Sequence, residues 1–443
     1  MNNARIDPKN SFSRWRSAFP GFIPSLLFLL FLCFLFCHKA FINFNYWGIH
    51  DWDKHFFFLE SPIKTLRDYA QFPLWNPWHC GGMVLFQHCE DSLLSPFTFL
   101  YFFLGTPEAA KISLFLHYVL ASSGMYLLGR RLFCLRNRIF ILVGSCIFLF
   151  NGFFALQITV GHYWILTFAY MPFVFYFFET YVQDGKKPDL VLSALSLSFM
   201  VFEGGLYPAP FMVLFLFFYS AARCFTLLNF RFMNAFLKLG VLSALFSAVK
   251  LVPLWDYMSI YPRITAGIEK IPLSWLRDIF LRTDQRYTLS LFEDQHWLWH
   301  EFGCYLGPLL LSLLAIAVVI NIISSHRRSL ALSLSFCFFV FFLFFLGQYD
   351  AHAPYVFLKK LPVFRSQHCL GRFLIALTFI ASLMLFHFFS IVETWQRRNP
   401  RPRLKAYTDI LLFVMAAWII YNLFCENTAT FRHQRDAAPC DLV

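Results

Sequence analysis

Apolar runs of membrane-spanning length, repeated along almost the whole chain, constrain this protein more than any other feature. Residues 330–347, LALSLSFCFFVFFLFFLG, carry no charge at all. A stretch of about twenty such residues is long enough to cross the hydrocarbon core as a helix. Backbone placed in lipid must satisfy its own hydrogen bonds, so the runs read as helices. Spans are expected at 21–40, 110–128, 139–157, 163–181, 190–206, 208–222, 234–252, 304–323, 330–347, 373–391 and 407–424. The fold class is an all-α polytopic integral membrane protein of about 11 transmembrane helices, with interfacial helices in the first outer loop. The apolar stretch 93–104 reads as either an interfacial helix or a re-entrant piece.

Charge placement orients the bundle. Only 14% of the 443 residues are charged, against about a quarter in soluble domains. The net charge of +12 would suit a nucleic-acid binder, but the basic residues sit in short clusters between apolar runs. That is the positive-inside pattern, and no nucleic-acid partner is expected. Arg130 with Arg131, Lys186 with Lys187, Arg327 with Arg328 and Arg397 with Arg398 mark cytoplasmic loops. Residues 1–20 form a cytoplasmic N-terminal tail, and 427–443 a disordered C-terminal one. Between them, 21–426 is a single transmembrane domain with outer loops 43–109, 253–303 and 348–372. The first helix lacks a small-residue cleavage site after it and reads as retained. Of twelve cysteines, Cys33, Cys37, Cys146 and Cys337 lie in apolar runs, and Cys80 with Cys89 is the one outer pair weighed as a disulfide.

The outer loops hold the polar residues that look chosen. The segment Asp51–Pro96 opens DWDKH, continues as an amphipathic helix with Phe57, Ile63 and Leu66 on one side, and then runs PLWNPWHCGG. Two prolines and Gly81-Gly82 exclude a regular helix there and favour a loop of fixed path. Asp51 and Asp53 share a side if extended; if a helix starts between them, only one faces the site. A partly desolvated carboxylate at a membrane boundary suits a general base, while the bland reading makes one of the two a helix cap. The pair would also suit a divalent metal, Mg or Mn, beside a substrate phosphate. His162 in VGHYW, Glu203 before two glycines, and His300-Glu301 in WLWHEFG are candidate substrate contacts; membrane-edge carboxylates default to function. Lys250 reads as a snorkelling cation or a member of the site. Arg365 and Arg372 in LPVFRSQHCLGRF run against the positive-inside tendency, so an anionic partner, such as a lipid-linked phosphate, is expected.

DWDKH, QFPLWNPWHCGG, GHYW, EGG, EFGCYLGPL and LPVFRSQHCLGRF, in this order, resemble the GT-C superfamily of membrane glycosyltransferases, and within it the bacterial YfhO-like membrane proteins. The chain departs from that pattern at Gln87-His88-Cys89, where such proteins often carry Asn/Asp-Pro-Gln. The resemblance implies an inverting glycosyltransferase at the outer face of the bacterial cytoplasmic membrane. Its donor would be a polyprenyl-phosphate-linked sugar and its acceptor part of the cell envelope, with membrane lipids around it. It implies Asp53 as catalytic base with Asp51 second, and the lipid phosphate on Arg365 and Arg372. His55, Trp75, Asn76, His88, His162, Glu203, His300 and Glu301 complete the expected substrate site.

Two other classes stand beside this one. A transporter or flippase for a lipid-linked substrate would place charges or broken helices near the bilayer midplane. In a non-catalytic membrane scaffold, Asp51 and Asp53 would be structural only.

Overall fold

The computed structural model describes residues 24, 26–42, 50–262, 269–285, 298–399 and 402–428. The tail 1–20 and most of 427–443 lie outside the described residues, as do His296 and Trp297. In chain order come α1 (Leu26–Phe41), α2 (Trp52–Tyr69), a hairpin of β1 (Trp75–Asn76) with β2 (Met83–Val84), α3 (Thr106–Leu132), α4 (Arg138–Leu149) and α5 (Gly152–Thr159). Then follow α6 (Tyr163–Asp184), α7 (Lys187–Phe202), α8 (Pro208–Leu227), α9 (Arg231–Ile260) and the single turn α10 (Trp299–Phe302). The chain closes with α11 (Pro308–Ile323), α12 (Arg328–Leu346), α13 (Leu370–Arg398) and α14 (Tyr407–Asn427).

Among these, α3, α6, α8, α9, α12, α13 and α14 are seven helices long and apolar enough to cross a membrane, or eight spans if α4 and α5 count as one bent crossing. Two of the expected spans are shorter. Those at 190–206 and 304–323 become α7 and α11, with 16 residues each, while part of 21–40 lies outside the described residues. Sixteen residues rise only about 24 Å, less than the hydrocarbon thickness. Prolines at the first turns of α3, α7, α8 and α11 set where those helices start, as their missing N–H costs nothing there. The stretch 93–104 is mostly turns, closed by a single helical turn at Leu100–Phe103.

The expected span 139–157 is broken. Asn151 donates to the carbonyls of Ile147 and Phe148 at 3.0 Å each, accepts from the Phe154 amide at 3.0 Å, and so caps α5 at a 41° bend from α4. The Gly152 amide leaves the helix ladder altogether and donates to the Tyr305 carbonyl at 3.2 Å. The break carries Gln157 and His162 to the loop end of the bundle.

α13 is the central post: 83% of its apolar window is buried, against 17% for the peripheral α14. It packs on α4, α11 and α12, with Phe140 and Phe389 stacked at 4.6 Å. The basic loops meet at one end. Arg327 donates to the Leu132 carbonyl at 2.8 Å, Arg223 to Ser329 at 2.9 Å and Arg231 to the Gln183 carbonyl at 3.0 Å, while Arg397 pairs with Glu393 at 2.7 Å. The long loops gather at the opposite end, where α2 lies against the starts of α3 and α6.

α2 is a helix as expected, but its buried face differs. Trp52, Phe56, Leu59 and Ile63 are buried, whereas Phe57 and Leu66 are half-buried at its margin. The i, i+3/i+4 spacing from Trp52 explains the rotation: it joins the largest side chains into one stripe.

Candidate functional site

The start of α2 is docked backbone to backbone on the turn between α5 and α6. The Asp51 amide donates to the Val160 carbonyl at 3.0 Å, and the Trp52 indole donates to the Ile158 carbonyl at 2.9 Å. Gly161 makes this approach possible. Its φ is +87°, and a β-carbon there would lie 2.5 Å from the Trp52 amide nitrogen. This contact puts Asp51 beside His162.

A second close approach brings in the opposite wall. A β-carbon on Gly371 would lie 1.8 Å from the Glu301 carbonyl oxygen, so the first turn of α13 presses on α10. Arg372 then grips Glu301 in a two-pronged ion pair, with Nε to Oε2 at 3.0 Å and Nη2 to Oε1. The guanidinium sits over Tyr207 at 4.3 Å and Trp164 at 5.1 Å from the ring centres. Burial tends to raise the Glu301 pKa, but Arg372 and then His162 outweigh it and hold the carboxyl well below its usual range.

Gln157 ties the two walls together. Its amide nitrogen donates to the His300 carbonyl at 2.6 Å and to Glu301 Oε2 at 3.2 Å. Its oxygen is therefore the acceptor for His162 Nδ1, which must carry the proton. His162 Nε2 faces Asp51 Oδ2 at 3.5 Å, and His50 Nδ1 lies 3.1 Å from Asp51 Oδ1. His162 first, then His50, hold the Asp51 carboxyl well below its usual range, and Asp51 raises His50 in return. His300 lies 5.3 Å from His50 and 5.6 Å from His162 between ring centres, and burial pushes it down to about 4. One donor atom each of His162, His300 and Glu301 lies within 4.8 Å of the others.

Asp51, His162, the adjacent His300 and Glu301, and Arg372 thus come together from four places in the sequence. Other expected members do not join them. Asp51 occupies the cap position of α2 without capping it, and Asp53 is exposed in the first turn. Asp51 is half-buried beside His162 whereas Asp53 is exposed, so the two differ in surroundings. Nor is Asp51 a carboxylate of raised pKa: two imidazoles stabilise its anion. Arg365 is exposed at the end of the single turn Pro362–Arg365, whereas Arg372 is buried and engaged by Glu301, so the two arginines do not form one clamp.

Glu203 belongs to a separate buried network. It accepts from His117 at 2.8 Å, Tyr170 at 2.7 Å and Ser95 at 2.8 Å, which pins the first loop to α3 and α6. Lys250 does not snorkel. It is 1% exposed and donates to Asp91 at 2.7 Å and to the carbonyls of Phe86 and His88 at 2.6 and 3.1 Å. Asn76 is buried in the hairpin, donating to Ser61 at 3.2 Å and accepting from the Trp78 amide at 3.0 Å, while Trp75 stays half exposed. His88 packs on Phe58 at 4.8 Å; burial lowers both it and His55 to about 4. Cys80 and Cys89 are free thiols.

Gln157, His50, Trp164 and Tyr207 escaped the sequence reading. Gln157 had a signal: it is the lone amide in the apolar run FFALQITV.

The fold and site define a helical membrane protein with, among the described residues, seven long apolar helices and a polar cluster at the loop end of the bundle. No protein-family model and no curated protein matches this chain.

Proposed function

We propose that this protein is an inverting glycosyltransferase working from a polyprenyl-phosphate sugar at the outer face of a bacterial cytoplasmic membrane. One observation carries the reading: a carboxylate, three imidazoles and a buried Glu–Arg pair, drawn from distant segments, meet where loops join the bundle end opposite the basic clusters. The Glu203 and Lys250–Asp91 networks are buried, with Glu203 3% and Lys250 1% exposed. This one leaves Asp51 36% exposed.

The geometry favours Asp51 over Asp53 as the base. The acceptor hydroxyl would donate its proton to the Asp51–His162 pair as its oxygen attacks the anomeric carbon. The carbon–oxygen bond to the lipid phosphate breaks on the opposite face, and the phosphate leaves with the electron pair. A stabilised Asp51 anion is a weak base for a ground-state alcohol. It suffices where the hydroxyl acidifies as the new bond forms in a cation-like transition state. Arg372 keeps Glu301 in place, and the exposed Arg365 is assigned the phosphate contact for the forked geometry of its guanidinium.

The test uses purified protein in lipid with a panel of radiolabelled polyprenyl-phosphate sugars. Asp51→Ala is expected to lose about 10²–10⁴-fold of the transfer rate, and Asp53→Ala less than about tenfold. Full activity in Asp51→Ala would overturn the assignment. Substrate translocation with no bond formed would replace it with a transporter.

A further inference from the structure

We propose that His162, His300 and Glu301 form a binding site for a divalent first-row transition metal, zinc being the best fit, with Asp51 at its open side. The inference shares its residues with the proposed transferase site, but its test reads binding and not transfer.

Each donor has an orbital that its hydrogen bonds leave over. Gln157 fixes one proton of His162 on Nδ1, so the nitrogen left for a metal is Nε2, which faces Asp51 and gives up its proton when the cation binds. His300 is buried, and its Nδ1 has no hydrogen-bond partner among the described residues. Its Nε2 stands 4.0 Å from Glu301 Oε1, too far for a hydrogen bond. Glu301 Oε2 accepts from Gln157 and Arg372, but Oε1 accepts from Arg372 alone. The oxygen turned toward His300 is therefore the one with a site to spare.

The surroundings are those that metal ligands need. A ligating histidine usually donates its other N–H to a carbonyl or carboxylate, which fixes ring and tautomer, and a ligating carboxylate is itself held by hydrogen bonds. Gln157 does the first for His162, and Gln157 with Arg372 does the second for Glu301. Tetrahedral zinc with bonds near 2.1 Å puts its donors about 3.4 Å apart. The present 4.8 Å closes with movements of about 1 Å, within reach of small side-chain rotations. Two imidazoles and a carboxylate favour zinc, iron(II) or manganese over magnesium, which prefers oxygen ligands. Asp51 adds a second carboxylate beside the ligand set, and its half-exposed side leaves a position for an exogenous oxygen ligand.

The experiment strips the purified full-length protein with a chelator and titrates it with Zn²⁺ alone, then with Co²⁺ as a spectroscopic probe. Expected are about one tightly held ion per chain and a visible cobalt absorption of nitrogen and oxygen ligation. His300→Gln and Glu301→Gln should each weaken binding at least about tenfold, and Gln157→Leu roughly 10–100-fold. The exposed-histidine control His79→Ala should change nothing. Thermal unfolding without metal checks that each variant folds; His162→Gln replaces any that does not. No retained metal in the wild type, or unchanged binding in the folded ligand variants, overturns the proposal. Metal binding without transfer would count against the enzymatic reading alone, and transfer by a protein that takes up no metal against this inference alone.

Discussion

Arg372 and Glu301 show how much a single buried pair can hold. Both side chains are nearly inaccessible, and the guanidinium is also sandwiched near Trp164 and Tyr207. Removing one partner strands the other charge, which costs about 3–5 kcal/mol, whereas removing both can cost far less. Arg372→Met should therefore lower the unfolding temperature in detergent sharply, and Arg372→Met with Glu301→Leu should recover a large part. A strictly additive double variant would mean that the two charges do not depend on each other. His55 and His88 give a second residue-scale expectation. Burial holds both near 4 against an ordinary value of 6.5, partly offset by Glu90. The unfolded chain then takes up protons first as pH falls. Stability should be full above pH 6.5, decline between 6.5 and about 4, and level off below. The loss is roughly a few kcal/mol per histidine at most. His55→Gln should flatten the decline in a pH series of thermal unfolding; an unchanged slope would count against its burial as a neutral ring.

At the scale of elements, the site depends on where α2 begins. Its first residue meets the α5–α6 turn through Gly161, and the broken α4–α5 crossing supplies Gln157 from the other side. Gly161→Ala meets both an unfavourable φ and a backbone atom at 2.5 Å, so α2 must shift. It should destabilise the protein by about 1–3 kcal/mol and separate Asp51 from His162. Crosslinking between cysteines placed at positions 51 and 162 would report that separation; equal crosslinking with and without the alanine would refute it. The first loop is otherwise fastened by Ser95 to Glu203 and by Asp91 to Lys250, and both anchors are buried ion or hydrogen-bond networks rather than surface contacts. Glu203 and Lys250, both read as candidate site residues, thus each bond to the first loop.

For the whole molecule, the division into a basic end and a loop end makes orientation measurable with native thiols. Cys80 is exposed on the first loop and Cys134 is exposed beside Arg131 and Arg327. In single-cysteine variants, a membrane-impermeant maleimide should label Cys80 in intact cells and Cys134 only after permeabilisation. The reverse pattern would put the polar cluster on the cytoplasmic side and remove the proposed chemistry. The helices themselves were legible because hydropathy and proline punctuation are local properties, recorded in consecutive residues. What the sequence could not show is which polar residues share a pocket. DWD looked like a pair, yet one carboxylate is half-buried beside His162 and the other is exposed; Arg365 and Arg372 looked like a clamp, yet one is exposed and the other is buried on Glu301. The membrane character, helix order and distribution of charge follow from the sequence alone, since each depends on neighbours along the chain. The meeting of Asp51, His162, His300 and Glu301 was decided only in the tertiary structure, because it rests on close backbone approaches at Gly161 and Gly371 between segments more than a hundred residues apart in places.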